Sequence, residues 1–138
     1  MSKLKVFISS VALITLGFTG CTSFPTSNVD TPKPVYKIEQ QCPANLTMKV
    51  GETLKVVADD NPSTGYSWKL RKALDHMTAT SSYAAAKTEG YLIVGAGGVR
   101  TFNFTATSAG LDKIHLVYTR SWTPQEVGRE WICDITVQ

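Results

Sequence analysis

The chain has 138 residues, of which 43% are hydrophobic and 18% charged, enough for one ordinary domain and too apolar for a disordered chain. The net charge is +3; once Lys3 and Lys5 are set aside, the fourteen Lys and Arg fall to twelve against eleven Asp and Glu. That balance gives no electrostatic footprint for nucleic acid, and two histidines without a His/Cys cluster or a phosphate-cradling loop argue against a metal, a cofactor or a nucleotide site.

Residues 1–21, MSKLKVFISSVALITLGFTGC, open with Lys3 and Lys5, run uncharged from Val6 to Phe18 and end in small residues. That uncharged run is too short to span a bilayer as a helix, which takes about 20 residues. The pattern is that of a secretory signal over residues 1–20. A short buried helix is the alternative, and the polar, proline-containing residues 22–34 that follow speak against it. Phe18-Thr19-Gly20-Cys21 resembles the lipobox of bacterial lipoproteins, in which the cysteine is diacylated and becomes the new N-terminus. Phe18 stands where Leu is usual, which leaves ordinary cleavage with an unmodified Cys21 as the other outcome. Several acyl chains on one residue anchor stably, where one chain does not. Residues 21–34 then read as a lipidated cysteine and a flexible tether. With no Asp after Cys21, the resemblance implies an outer-membrane lipoprotein facing the periplasm or the cell surface.

Setting Cys21 aside leaves Cys42 and Cys133, for which an exported chain permits one pairing. Two separate buried thiols are the alternative, disfavoured in an oxidising compartment. A bridge closing so long a loop is worth about 4–5 kcal/mol on the chain-entropy argument.

From Val35 onward the apolar period is two. Leu46, Met48 and Val50 alternate with polar residues, and so do Leu54, Val56 and Ala58. The same holds for Tyr66, Trp68 and Leu70, for Phe102, Phe104 and Ala106, for Ile114, Leu116 and Tyr118, and for Trp131, Cys133, Ile135 and Val137. Such runs predict half-buried antiparallel strands, and the Gly, Pro, Asn and Asp residues between them predict turns. The expected fold is an all-β antiparallel sandwich over residues 35–138. Residues 73–89, rich in Ala, Ser and Thr, fit a loop, a strand or a short helix equally well.

Catalysis finds no constellation. His115 lies in a strand and His76 in the ambiguous stretch. Asp59 and Asp60 are adjacent, so on a strand they face opposite sides and form no carboxylate pair. Three loops stand out instead. Asn61-Pro62-Ser63-Thr64-Gly65-Tyr66 combines an Asn that can fold onto its own backbone, a Pro that fixes φ and a Gly that accepts positive φ, which predicts a rigid tip carrying two hydroxyls. Gly95-Ala96-Gly97-Gly98 lets another backbone approach closely. Arg120-Ser121-Trp122 puts a guanidinium and a large aromatic at a strand exit, residue types favoured at interfaces. Taken singly, each also reads as an ordinary turn, hairpin or core cap.

Taken in order, N-P-S-T-G-Y-S-W, G-A-G-G and Y-T-R-S-W-T resemble the three signatures of the chagasin-type inhibitors of papain-like cysteine peptidases. The resemblance runs from about Leu46 to Val137. Ser63 replaces a Thr and keeps the hydroxyl; Ser121 replaces a Pro, which leaves the third loop less constrained. The resemblance implies an immunoglobulin-like sandwich with all three loops at one end, and an inhibitor rather than an enzyme, working as a monomer without cofactor. It places Thr64 nearest the catalytic pair of a bound peptidase, residues 95–98 along one side of the cleft, and Arg120 and Trp122 on the other. The rival reading is a ligand- or carbohydrate-binding sandwich of the envelope, with Trp68, Trp122 and Trp131 as a sugar-stacking face, although Trp68 and Trp131 fall on the inward register. Labelled palmitate is expected to be incorporated into the protein, and Cys21→Ser to abolish the label and release the protein from the membrane fraction.

Overall fold

The computed structural model describes residues 34–138. The expected leader, Cys21 and all of the expected tether except Pro34 lie outside the described residues. The chain forms strands β1 (Val35–Lys37), β2 (Leu46–Met48), β3 (Thr53–Asp60), β4 (Tyr66–Leu70), β5 (Met77–Ala85), β6 (Lys87–Thr88), β7 (Tyr91–Leu92), β8 (Gly98–Ala106), β9 (Gly110–Arg120) and β10 (Val127–Val137). One four-stranded sheet has the order β1-β3-β8-β5, the other β2-β10-β9-β4, and β6 pairs with β7 in a small hairpin. This is the expected immunoglobulin-like sandwich. The expectation of purely antiparallel pairing is corrected at two edges, where β1 runs parallel to β3 and β2 parallel to β10. Each of these edge strands has three residues, so the sheets are mixed only at their rims.

The alternation of the sequence is the alternation of burial. Leu54, Val56 and Ala58 of β3 face Phe102, Phe104 and Ala106 of β8 on one inner face. Trp68 of β4, Ile114 and Leu116 of β9, and Trp131, Cys133, Ile135 and Val137 of β10 line the other. Together these side chains make one core. A buried Val, Leu or Phe side chain is worth about 1.5–3 kcal/mol relative to exposure, so this face supplies the main driving force for folding. Both core indoles find acceptors: Trp68 Nε1 donates to the carbonyl of Asp59 at 3.0 Å, and Trp131 Nε1 to that of Gln40 at 2.8 Å.

The ambiguous stretch resolves mainly into β5, a nine-residue strand of which only Met77 is buried. Ala79 and Ser81 sit opposite Phe104 and Phe102, but their side chains are too small to reach the core, and the strand is an edge. A strand exposed along most of its length shows no apolar alternation to read.

Strand polarity collects the chain's three singled-out loops at one end. Asp60, the last residue of β3, pairs with Gly98, the first of β8. Tyr66, the first of β4, pairs with Arg120, the last of β9, and Thr119 pairs with Val127, the first of β10. Loop 1 (residues 61–65), loop 2 (residues 95–98) and loop 3 (residues 120–126) therefore emerge together. The far end carries His76, whose Nδ1 lies 3.0 Å from Ser108 Oγ and whose backbone N–H donates to Asp112 at 2.7 Å.

Cys42 and Cys133 are bonded, with Cα atoms 5.3 Å apart and 91 residues apart in sequence. The bridge pins the connection after β1 to the middle of β10. Peptide mapping without reduction is expected to recover the segments bearing Cys42 and Cys133 as one cross-linked species that reductant splits. Replacing both by Ser should cost about 2–5 kcal/mol in denaturant unfolding.

Candidate functional site

Loop 1 is a single 3-10 turn over Pro62–Thr64. Pro at the first helical position has the φ the turn requires and no N–H to lose. The Asn61 carbonyl accepts both the Thr64 N–H, at 3.1 Å, and the Thr64 hydroxyl, at 2.7 Å. The Pro62 carbonyl accepts the Gly65 N–H at 2.9 Å. Gly65 closes the turn at φ +84°, the left-handed region the sequence reserved for it. The tip is a hydrogen-bonded turn, and its hydroxyls are engaged within the loop end rather than free. The Asn61 side chain does not fold onto its own backbone: its Nδ2 donates across to the Gly95 carbonyl at 3.3 Å, while its Oδ1 accepts from Ser63 Oγ.

Loop 2 is thereby tied to loop 1. Gly95 has φ +77°. The close approach that glycine permits at Gly97 and Gly98 is to the chain's own backbone. A Cβ at Gly97 would lie 3.1 Å from the Asp60 carbonyl oxygen, and one at Gly98 would overlap the Ala84 carbonyl. Both lie where β8 begins, wedged between β3 and β5, so their lack of a side chain is a packing requirement of the sheet.

Loop 3 is tied to loop 1 from the other side. The Trp122 indole packs on Gly65, so that any Cβ there would overlap the ring. The Arg120 guanidinium lies 4.5 Å over the Tyr66 ring and 5.8 Å from that of Trp122. Tyr66 stacks on Tyr118 at 5.3 Å, and Tyr118 meets the buried Trp68 at 5.3 Å. A continuous column of aromatic and guanidinium groups thus runs from the core to Trp122, which is 66% exposed. Ser121 takes a hydrogen bond from Lys69 Nζ at 3.0 Å. The buried Thr119 hydroxyl lies within hydrogen-bond reach of the carbonyls of Thr123, at 3.2 Å, and Glu126, at 3.0 Å. Loop 3 is held by these contacts where a proline would have fixed its backbone.

Residues 61–66, 95–98 and 120–122 therefore form one linked surface. Trp68 and Trp131 are buried and absent from it, so the sugar-stacking face of the rival reading lacks two of its three rings. Two neighbouring features escaped the sequence reading. Tyr91, Leu92, Ile93 and Val94 are all exposed, Val94 to 99%, on the arm that leads into loop 2; the signal was an unbroken apolar run between Gly90 and Gly95. Asp60 is buried at the root of loop 1 and paired with Arg100, a partner forty positions away that no local motif marks.

The sandwich presents three mutually braced loops at one end, a surface built from connections rather than strands. Residues 47–137 match the family described as Chagasin family peptidase inhibitor I42. The chain belongs to that family, whose members are peptidase inhibitors and not enzymes. It is similar to Amoebiasin-1 of Entamoeba histolytica, 33% identical over 93 residues that cover 67% of this chain and 89% of that one. It is also similar to Chagasin of Trypanosoma cruzi, 30% identical over 86 residues, 58% of this chain and 76% of that one. The solution structure of Amebosin superposes with a TM-score of 0.63 at 31% identity, covering 78% of this chain and 99% of the other.

Gly65 and Gly51 separate two costs of a side chain at positive φ. Gly51, at φ +90°, has nothing within 4 Å of a Cβ position, whereas Gly65 has the Trp122 ring. Gly51→Ala is expected to pay backbone strain alone, about 1 kcal/mol. Gly65→Ala should cost more than Gly51→Ala, because the indole must move as well, and denaturant unfolding of both variants measures the difference.

Proposed function

We propose that the protein inhibits papain-like cysteine peptidases reversibly and without a covalent bond, by seating loops 1, 2 and 3 in and around the active-site cleft. The observation that carries this reading is the bracing of all three loops into one surface: Asn61 to Gly95 on one side, Gly65 to Trp122 on the other. Loops ordered before contact lose little freedom on binding, so more of the contact energy appears as affinity.

Loop 1 enters the cleft with Thr64 nearest the enzyme's catalytic cysteine and histidine. Pro62, Ser63 and Gly65 shape the tip. A peptidase acts on an extended segment whose carbonyl meets the nucleophile. In loop 1 the carbonyls of Asn61 and Pro62 are turned onto the N–H groups of Thr64 and Gly65. The chain blocks the cleft without offering a bond in attacking geometry, and it is released intact. The residue 95–98 segment lies along one wall and Arg120 with Trp122 along the other. Three such contacts reach the area of an ordinary stable interface, about 1,600 Å² in total.

The same reading places the inhibitor as a monomer on the outer membrane, carried by a lipid on Cys21. The lipobox-like residues 18–21 and the secretory pattern before them support that placement.

Titration of papain with the protein is expected to give complete, reversible loss of activity with the inhibitor recovered uncut; progressive cleavage within residues 61–65 would overturn the reading. Trp122 supplies a sharper measurement. Truncating a central aromatic anchor costs about 2 kcal/mol or more of binding, roughly thirtyfold in affinity. Trp122→Ala should therefore weaken inhibition by about tenfold or more, while the melting temperature moves little because the ring is mostly exposed. A large fall in melting temperature with unchanged inhibition would remove loop 3 from the contact surface.

A further inference from the structure

The inner face of β3 reads Leu54, Val56, Ala58 and then Asp60, all buried. The inner face of β8 reads, from the far end, Ala106, Phe104, Phe102 and then Arg100. Two apolar ladders thus finish, at the loop end, in a carboxylate and a guanidinium. Asp60 Oδ2 accepts from Arg100 Nε. The Asp60 side chain is 0% exposed and that of Arg100 19%. Asp60 Oδ1 has no hydrogen-bond partner among the described residues. The guanidinium lies 5.4 Å over the Tyr83 ring of β5.

Such a pair is a poor device for stability. The desolvation of two charges offsets most of their attraction, and apolar residues of similar volume are often neutral or better in the same place. The best-attested use of a buried polar pair is to fix register. Register is what this position controls. Asp60 is paired with Gly98, the Asp60 carbonyl faces Gly97, and the next residue, Asn61, donates to the Gly95 carbonyl. A slip that keeps both apolar faces inward moves β3 by two residues along β8, about 6.6 Å, and would carry Asn61 away from the Gly95 carbonyl.

We infer that the Asp60–Arg100 pair is a positioning device that sets the register of β3 against β8 and so holds loop 1 in its working pose against loop 2. Its effect on inhibition rests on the function proposed above; its effect on loop 1 does not. Neither residue touches the bound peptidase in that reading, since both lie beneath the loops.

The test is the double variant Asp60→Leu/Arg100→Met, compared with Arg100→Lys, which keeps the charge. In the double variant the melting temperature should hold or rise. Exchange of the Asn61 side-chain amide, which donates to the Gly95 carbonyl, read by NMR, should quicken by about tenfold or more, and papain inhibition should weaken by a similar factor. Arg100→Lys should stay within about threefold of the unaltered protein on both readouts. Unchanged exchange of the Asn61 side-chain amide in the double variant overturns the proposal. So does a fall in melting temperature that accounts for the lost inhibition, because the pair is then an ordinary stabiliser. If the double variant does not fold, Asp60→Asn decides by the same exchange measurement. If the unaltered protein fails to inhibit papain, the proposed function falls and the exchange measurement alone decides the positioning role.

Discussion

One hydrogen bond closes the base of the loop end. Loop 1 joins β3 in one sheet to β4 in the other, and the Trp68 indole of β4 donates back to the Asp59 carbonyl of β3. The chain leaves one sheet and enters the other within a few residues, and this bond spans the gap at the point of departure. Trp68 fills the core beneath, Tyr118 packs against its face, and Arg129 lies over it at 5.3 Å. If Trp68 were lost, both the spacing of the sheets and the footing of loop 1 would change together. The Trp of the N-P-S-T-G-Y-S-W run therefore belongs to the same device as the turn it follows, although one is buried and the other exposed.

The stiffness of the three loops comes from different sources. Loop 1 is stiff by local chemistry: a proline, a glycine at positive φ and a hydroxyl bonded within the turn. Loop 2 is stiff because Gly97 and Gly98 pack against the backbone of β3 and β5, and because Asn61 holds the Gly95 carbonyl. Loop 3 borrows its order from its neighbours, through the Thr119 hydroxyl, the Lys69–Ser121 contact and the aromatic column. The substitution of Ser121 for the proline of the resembled pattern is thus met by side-chain contacts from β4 and β9. A net hydrogen bond is worth about 1 kcal/mol, the same order as the gain from a φ fixed by proline, although contacts at the surface compete with water.

The strands that bury one face and expose the other were legible, because that writes a period of two into β2, β3, β4, β8, β9 and β10. The rest of the rim, and the pairing at the rim, were not. β5 is exposed along most of its length, and β1 and β2 find parallel partners far along the chain that no local pattern announces. The three loops were legible as residue types and in order, since turns need particular backbones at particular places. Their cross-links were not. Nothing in Asn61 marks the Gly95 carbonyl as its partner, and nothing in Gly65 says that Trp122 will lie on it. Asp59 and Asp60 face opposite sides of β3, as adjacency required, but the burial of Asp60 depends on Arg100, which only the folded sheet brings near.

The position of β10 in its sheet bears on how the molecule comes into being. β10 lies between β2 and β9, and it carries Trp131, Cys133, Ile135 and Val137 into the core. Until that strand has been synthesised, β2 has no partner, Cys42 lacks Cys133, and four buried side chains are missing from the inter-sheet core. A growing chain therefore stays without a cooperative core over most of its synthesis, in contrast to folds whose early elements pack on one another as they emerge. A polypeptide of this topology acquires its final shape only once β10 has taken its place between β2 and β9.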